Sequence, residues 1–570
     1  MVPYLALTMP TYQFPTNSAE KTVAADLSPL INQLLNNRGI DSEVVAQAFL
    51  EPNYDTQLHD PLLLHDIDTA CERIVAAMAA KETIAIFSDY DCDGIPGGVV
   101  LYDLFTALEY KEFINYIPHR HFEGFGLSNT AIDRLKEQGV TLIITIDCGT
   151  TNVAEVAYAA KQGIDVIITD HHEPGEGLPQ AVAVVNPKLG DYPFKDLCGA
   201  AVAFKLAQAL LQKTEHQLLP GKEKWWLDMV GIATIADMVP LTGENRVLAH
   251  YGLQVLRKSR RPGLQQLLKK AKVNQSYLNE EDVGFTIGPR INAASRMDTP
   301  EDAFYMLAET DLVAASDRVE HLEKLNQERK TQVAQMTKDL HKRVRALEEL
   351  PPVLVMGHAT WRPSLVGLAA TKLAEEHSRP VFLWGVDGNG VYKGSCRSAG
   401  GISVVTLMQA ASDAFTEHGG HHYSGGFSVK DDYIFTLGET LVSAYEKLGN
   451  EAAIAEEVVI DAEIGLNEVT PLLIQQLRQL APFGAGNPKP IFAFNEVVPL
   501  TVDLFGKTKE HTKLTFDTES GTLEAIAFFR TPIQFTKEPK AAVASTLIAH
   551  IEQSFFMGRL QNRLRIIDIV

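Results

Sequence analysis

The stretch Thr83-Ile-Ala-Ile-Phe-Ser-Asp-Tyr-Asp-Cys-Asp-Gly-Ile-Pro-Gly-Gly98 decides how this 570-residue chain is read. Its apolar run, Thr83 to Phe87, reads as a buried strand that empties into aspartates at alternate positions, Asp89, Asp91 and Asp93. Alternate residues of an extended chain face the same way, so three carboxylates are expected in one small volume. Like charges packed so closely raise one another's pKa or demand a cation; an acidic solvated turn is the plain alternative. The same grammar recurs downstream. The run Leu142 to Ile146 ends in Asp147-Cys148-Gly149, and Val166 to Thr169 ends in Asp170-His171-His172.

Strands alternating with helical segments predict an α/β fold with a parallel sheet and right-handed crossovers. Ligands of such sheets sit beyond the carboxyl ends of the strands. Asp91, Asp93, Asp147, Asp170, His171 and His172 are therefore expected to converge on one edge. Several carboxylates with one or two imidazoles suit Mn²⁺ or Mg²⁺, as a pair of ions, better than a structural zinc. The reaction such a pair serves best is hydrolysis at phosphorus.

Asp-Tyr-Asp-Cys-Asp-Gly (89–94), Ile-Asp-Cys-Gly (146–149) and Thr-Asp-His-His-Glu (169–173) resemble the first three motifs of the DHH phosphoesterase superfamily. Ala-Thr-Ile-Ala-Asp-Met-Val-Pro-Leu (233–241) resembles the fourth. With the segments described below, the chain is similar to the RecJ family of bacterial single-strand-specific 5′→3′ DNA exonucleases. The resemblance implies catalytic roles for Asp89, Asp91, Asp93, Asp147, His171, His172 and Asp237, with Asp91, Asp93, Asp147, His171 and Asp237 holding metal. It implies single-stranded DNA as substrate, 5′-mononucleotides as products, a place in DNA repair and recombination, and a single-strand-binding protein and a helicase as partners. Neighbours at a strand end point in opposite directions, so one of His171 and His172 is expected on metal and the other on a ligand or the leaving phosphate. The second N–H of such a ring needs an acceptor, for which Asp170, Asp228 and Glu173 are candidates. Asp228 is also a candidate partner of Arg246. The chain departs from the family pattern at Ser88, at Pro96-Gly97-Gly98 and at Trp361-Arg-Pro-Ser-Leu-Val366.

Length and composition bound the rest. A chain of 570 residues exceeds one hydrophobic core. Hydrophobic and charged fractions of 45% and 22% are those of a soluble globular protein. No apolar run is long enough to span a membrane, and the N-terminus lacks the pattern of a secretory signal. Five scattered cysteines without a CxxC pair point to a reducing cytoplasm and away from zinc. A net charge of −21 counts against nucleic-acid binding, since phosphate contacts use Lys and Arg. The metal cluster supplies part of that excess, and net charge does not describe a single cleft.

In chain order, residues 1–80 read as a helical lead and 81–302 as the catalytic domain. Gly94, Gly97 and Gly98 either expose N–H groups to a phosphate or make a tight turn. Arg120 and His121, in Tyr116-Ile-Pro-His-Arg-His, face the scissile phosphate or a surface loop. Arg290 and Arg296, in the RecJ-like segment 288–298, hold phosphates or buttress Asp298. Residues 303–350 read as a connector helix, polar around its middle, that bridges two halves of a clamp and ends at Pro351-Pro352. Residues 351–450 form a second α/β unit. Its Lys393-Gly-Ser-Cys-Arg-Ser398 and His418-Gly-Gly-His-His422 resemble the substrate-binding loops of the domain that accompanies DHH domains. Lys393, Ser395, Arg397 and His421 are its candidate phosphate ligands. Residues 451–570 alternate like the strands of a small oligonucleotide-binding barrel. Phe505, Phe528, Phe529, Phe555 and Phe556 interleave there with Lys507, Lys509, Lys513, Arg530 and Arg559, as base stacking with phosphate contacts requires. A phosphodiesterase acting on short oligonucleotides or cyclic dinucleotides is the rival reading; such enzymes generally lack the barrel.

Overall fold

The computed structural model describes residues 11–14, 22–399, 402–449, 457–556 and 559–570. Parts of the lead and of the 451–570 unit fall outside these, as do the side chains of Phe555, Phe556 and Arg559.

Strands Thr83–Ser88, Phe113–Tyr116, Val140–Ile146, Asp165–Thr169 and Ala183–Val185 form one all-parallel sheet. Ile84, Ile86, Leu142, Ile144, Ile146, Ile167 and Ile168 are fully buried, as strands covered on both faces require. Helices Gly94–Ala107 and Gly199–Lys213 cover one face, and Asn129–Glu137 and Val153–Lys161 the other. Phe113–Tyr116 lies on one side of Thr83–Ser88 and Val140–Ile146 on the other. The winding therefore reverses at Thr83–Ser88, and the crevice of a doubly wound sheet opens beyond that strand's carboxyl end.

The connector differs from its sequence reading. Helix Glu301–Ala308 stands apart, and the long helix runs Leu312–Arg345, capped by Asp311 and ending well before Pro351. Its 34 residues span about 51 Å. It is not a solvent bridge: Leu325 and Asn326 are buried in its middle, and Met336, Leu340 and Val344 share one core with Leu354, Trp361 and Leu365. Apolar residues at helical spacing flank the polar middle, and tertiary packing covers the part that composition leaves open.

The smaller α/β unit orders its strands as Phe415–His421, Ser424–Val429, Tyr392–Arg397, Val381–Val386 and Leu354–Gly357, with only the last two parallel. In the C-terminal unit, Phe492–Val497 pairs with Ser545–Phe556 and Thr501–Phe505 pairs with His511–Thr518. Only residues 498–500 separate those two strands, which stand toward opposite ends of the sheet. One bent segment thus joins the two sides of the sheet, with Ala462–Glu463 added outside Phe492–Val497, and the sheet curls as a barrel does.

The lead serves two cores and is not wholly helical. Thr11–Gln13 pairs in parallel with Glu457–Val459. Helix Pro29–Asn36 buries Ile31, Leu34 and Leu35 against Leu473, Leu477, Phe492 and Phe494 of the barrel. Helix Ile67–Ala80 packs instead on the all-parallel sheet. Arg246 closes the junction by donating to the carbonyls of Phe49, Gln479, Leu480 and Ala481. It does not pair with Asp228, which accepts from Ser259 and Arg261 at 2.8 Å each. Leu241 N–H donates to the Ala485 carbonyl at 2.7 Å, so the loop 482–488 ties the C-terminal unit to the parallel-sheet unit.

Candidate active site

Each acidic motif is placed by one further step of the sheet ladder. Asp89 N–H donates to Ile146 O, Asp147 N–H to Thr169 O and Asp170 N–H to Val185 O, at 3.0–3.1 Å. The three aspartates therefore climb across the sheet edge in register. Asp147 is held at φ 61°, a left-handed conformation that turns its side chain back over the edge.

The strand ends at Ser88, so alternation along an extended chain is not what gathers the first acids. Asp91 and Asp93 lie in the turn that opens helix Gly94–Ala107, where Asp91 Oδ1 accepts from Asp93 N–H and Gly94 N–H. Asp93 accepts from Gly199 N–H at 2.6 Å and Ala200 N–H at 2.7 Å, at the N-terminus of helix Gly199–Lys213. Gly94 and Gly199 are required by close approach. A Cβ on Gly94 would stand 2.5 Å from the Asp89 carbonyl oxygen, and one on Gly199 2.5 Å from Asp147 Cβ. Gly94, Gly97 and Gly98 are buried by this packing, which excludes their N–H groups as an open phosphate cradle.

Three overlapping triads result, each with ligand atoms within 4.8 Å of one another: Asp89, Asp91 and Asp147; Asp147, His171 and His172; Asp93, His171 and Asp237. Asp147 and His171 are each shared by two. The histidine rings do not diverge, because both lie past the strand end; their centroids are 4.7 Å apart. His171 Nε2 stands 3.2 Å from Asp147, 3.6 Å from Asp93 and 3.8 Å from Asp237. His172 Nδ1 is bonded to Asp170 at 2.8 Å. Asp170 also accepts the N–H groups of Thr150, His171 and His172; burial raises its carboxyl, but the His172 ring and then Thr150 hold it below the usual range. Of the three candidate acceptors, Asp170 thus takes the ring; Glu173 pairs with Lys188.

Burial, followed by neighbouring carboxylates, pushes Asp89, Asp93 and Asp147 above the carboxylate range. Burial and then Asp93 and Asp91 raise Asp237, at the end of helix Leu227–Ala236, to about 9. Among the described residues Asp89 Oδ1 is buried without a hydrogen-bond partner, and Asp147 Oδ1 is buried with only the His171 ring nearby, at 3.2 Å. Orphaned carboxylate oxygens beside imidazole nitrogen are a donor set that fits Mn²⁺ or Mg²⁺.

A belt of arginines borders this centre. Arg296, half-buried, donates from Nη1 to the Ser364 carbonyl at 2.6 Å. Burial, then Arg120 and Arg329, pull its guanidinium down to about 9, while Asp91 opposes them and Arg397 adds to them. Arg120 lies 4.8 Å over the Tyr90 ring, and His121 Nε2 meets the Arg296 carbonyl at 3.1 Å. Arg397 and Ser395 line up on strand Tyr392–Arg397 beside Gly367 of helix Pro363–His377. His421 is exposed in the same cross-strand row, through Ser424.

Two candidates stand elsewhere. Arg290 is bonded to Glu323 of the long helix at 2.7 Å, and Lys393 lies 3.2 Å from Asp387. Neither Arg290 nor Arg296 buttresses Asp298, whose ion-pair partner is His321. Three features escaped the sequence reading: the helix N-terminus at Gly199, Arg329, and the Thr150–Asn186 pair, whose Asn186 also holds the His172 carbonyl.

Family models of the DHH family N-terminal domain, the DHHA1 domain and the RecJ OB domain match residues 83–234, 350–449 and 460–568. The single-stranded-DNA-specific exonuclease RecJ of Salmonella typhimurium is 32% identical over 486 residues, 82% of this chain and 83% of that protein. The chain belongs to the RecJ family. The Bacillus subtilis RecJ exonuclease is 36% identical over 512 residues; the match covers 89% of this chain but 64% of that relative, so the chain spans less than two thirds of it. The crystal structure of RecJ with Mn²⁺ from Thermus thermophilus superposes with a TM-score of 0.82 at 26% identity, covering 99% of this chain and 80% of that one.

Proposed function

We propose that the chain is a metal-dependent 5′→3′ exonuclease that hydrolyses single-stranded DNA to 5′-mononucleotides, in DNA repair and recombination. The observation that supports this is Arg296, which feels the charges of both Asp91 in the carboxylate–imidazole centre and Arg397 on strand Tyr392–Arg397, and is bonded to the Ser364 carbonyl. Asp91, Asp93, Asp147, His171 and Asp237 would hold Mn²⁺ or Mg²⁺, with Asp89 sharing the first triad. Bound there, a pair of such cations would supply Lewis acidity toward water and toward the phosphoryl oxygens. Backbone donors at Gly199 and Ala200 lock the Asp93 carboxylate, and Asp170 locks His172 through Nδ1. His172 Nε2 is then left to meet an oxygen of the leaving nucleotide. Arg296 and Arg120 hold the scissile phosphate; Ser395 and Arg397 hold the phosphate at the 5′ end, with His421 beyond them.

The barrel favours this reading over a phosphodiesterase of short oligonucleotides or cyclic dinucleotides. Phe529 is largely exposed, Phe505 and Phe528 flank His511, and Arg563 and Arg565 lie over Phe528. That surface suits stacked bases and a phosphate backbone. A single-strand-binding protein and a helicase are the partners that the family resemblance suggests. All five cysteines are free and buried, which favours a cytoplasmic setting. Among the described residues no helix is long and apolar enough to cross a membrane. The test is hydrolysis with Mn²⁺ of a long single strand, its duplex and a cyclic dinucleotide. The single strand is degraded and the other two persist; preferential cleavage of the dinucleotide would overturn the reading.

A further inference from the structure

A concave surface of about 1200 Å³ lies between the second half of the long helix, from Thr331 to Arg345, and the loop 358–362. Six cations line it: Lys338, Lys342, Arg343, Arg345, Arg362 and Lys372. Its one acidic side chain, Asp339, is taken up by Arg343 at 2.8 Å. Lys338, Lys342, Arg345 and Lys372 are exposed and make no ion pair among the described residues. On a chain of net charge −21, four unpaired cations around one groove are not a sample of the average surface. Uncompensated like charge destabilises a fold slightly, and a polyanion would remove that cost.

The groove adjoins the site through a single loop. Arg362 Nη1 donates to the Met297 carbonyl and Ser364 Oγ to the Arg296 carbonyl, so one end of that loop is fastened beside the cleft arginine. Its other end, His358 to Trp361, lines the groove. A phosphate backbone leaving the cleft past Arg296 would meet Arg362 and then the cations Lys338 to Arg345 along roughly 10 Å of helix.

Building on the proposed function, we propose that this groove carries the single strand beyond the cleft, by its phosphates and without reading bases. Lys338, Lys342 and Lys372 are then contacts that only a long substrate reaches. The experiment uses the full chain without metal and measures, by fluorescence anisotropy over a range of salt, binding of a long oligodeoxythymidylate and of a trinucleotide. It compares the wild type, the triple variant Lys338→Gln, Lys342→Gln, Lys372→Gln, and a control with Lys136→Gln, Lys161→Gln and Lys447→Gln. The control loses the same total charge from exposed positions elsewhere. Three lost phosphate contacts lower the slope of log affinity against log salt by about 2 for a single strand. The groove variant should show that change, with long-strand affinity about tenfold weaker at low salt, and bind the trinucleotide as the wild type does. A groove variant that matches the control overturns the proposal, as does an equal loss for long and short strands. A wild type that binds neither strand overturns the exonuclease reading itself, an outcome distinct from both.

Discussion

Replacing Arg296 with Met separates a phosphate ligand from a packing residue. The side chain fills similar space but loses its charge and its 2.6 Å bond to the Ser364 carbonyl. Burial and the flanking Arg120, Arg329 and Arg397 already disfavour this guanidinium, since they pull it down to about 9. Removing it relieves that repulsion while giving up one hydrogen bond worth about 1 kcal/mol, so the melting temperature should move by only a few degrees. Substrate is affected far more. A charge-assisted bond to phosphate contributes about 1.5–3 kcal/mol, or roughly 10- to 150-fold in kcat/KM at about 1.4 kcal/mol per decade. Arg296→Lys should recover part of the loss, because the ammonium keeps the charge but not the planar fork. Steady-state kinetics on a long single strand, with a calorimetric melt of each variant, reads both quantities. A kcat/KM within twofold of wild type, or a loss matched by unfolding, would refute the assignment.

Asp147→Asn keeps the shape of a residue shared by two triads but removes its charge; cleavage should fall by orders of magnitude while single-strand binding, read by anisotropy, largely survives. Arg397→Ala should raise KM by the same phosphate-pair magnitude as Arg296→Met, and an unchanged KM would return that strand to a purely structural role. The metal-free centre should bind Mn²⁺ more tightly as pH rises. Asp237, with its folded pKa raised from 3.8 to about 9, favours the metal-free fold at low pH, and that contribution is lost as pH climbs through this window. Cation binding must expel the proton, so affinity should rise up to about tenfold per pH unit below 9; calorimetric titration giving a flat profile would contradict this. Removing residues 450–570 alone should leave an insoluble protein, because Ile31, Leu34 and Leu35 lose their barrel core. A span of 51–449 should stay folded by circular dichroism and bind long strands more weakly, with a shallower salt dependence.

The acidic edge of the parallel sheet was legible because buried β-branched runs announce parallel strands and each run ends in an acid. What local pattern could not supply was the third dimension. Nothing around Gly199 marks it as a donor to Asp93, 106 positions away in sequence. The lead looks uniformly helical, yet its first helix buries Ile31 in the barrel and its later one buries Ile74 in the catalytic core, a division only the folded chain reveals. Arg290 and Arg296 share one helix and one composition. The long helix decides between them by offering Glu323 to Arg290 alone. The polar middle of that helix reads as solvated until Arg329 is found against the arginine belt.

The most direct test of the central claim is the order in which label leaves a single strand. With Mn²⁺ present, the full chain should release a 5′-terminal label at once as a mononucleotide, while a 3′-terminal label on the same strand persists until most of it is consumed. Early release of the 3′ label, or internal cuts before either end is lost, would contradict a 5′→3′ exonuclease built on this site.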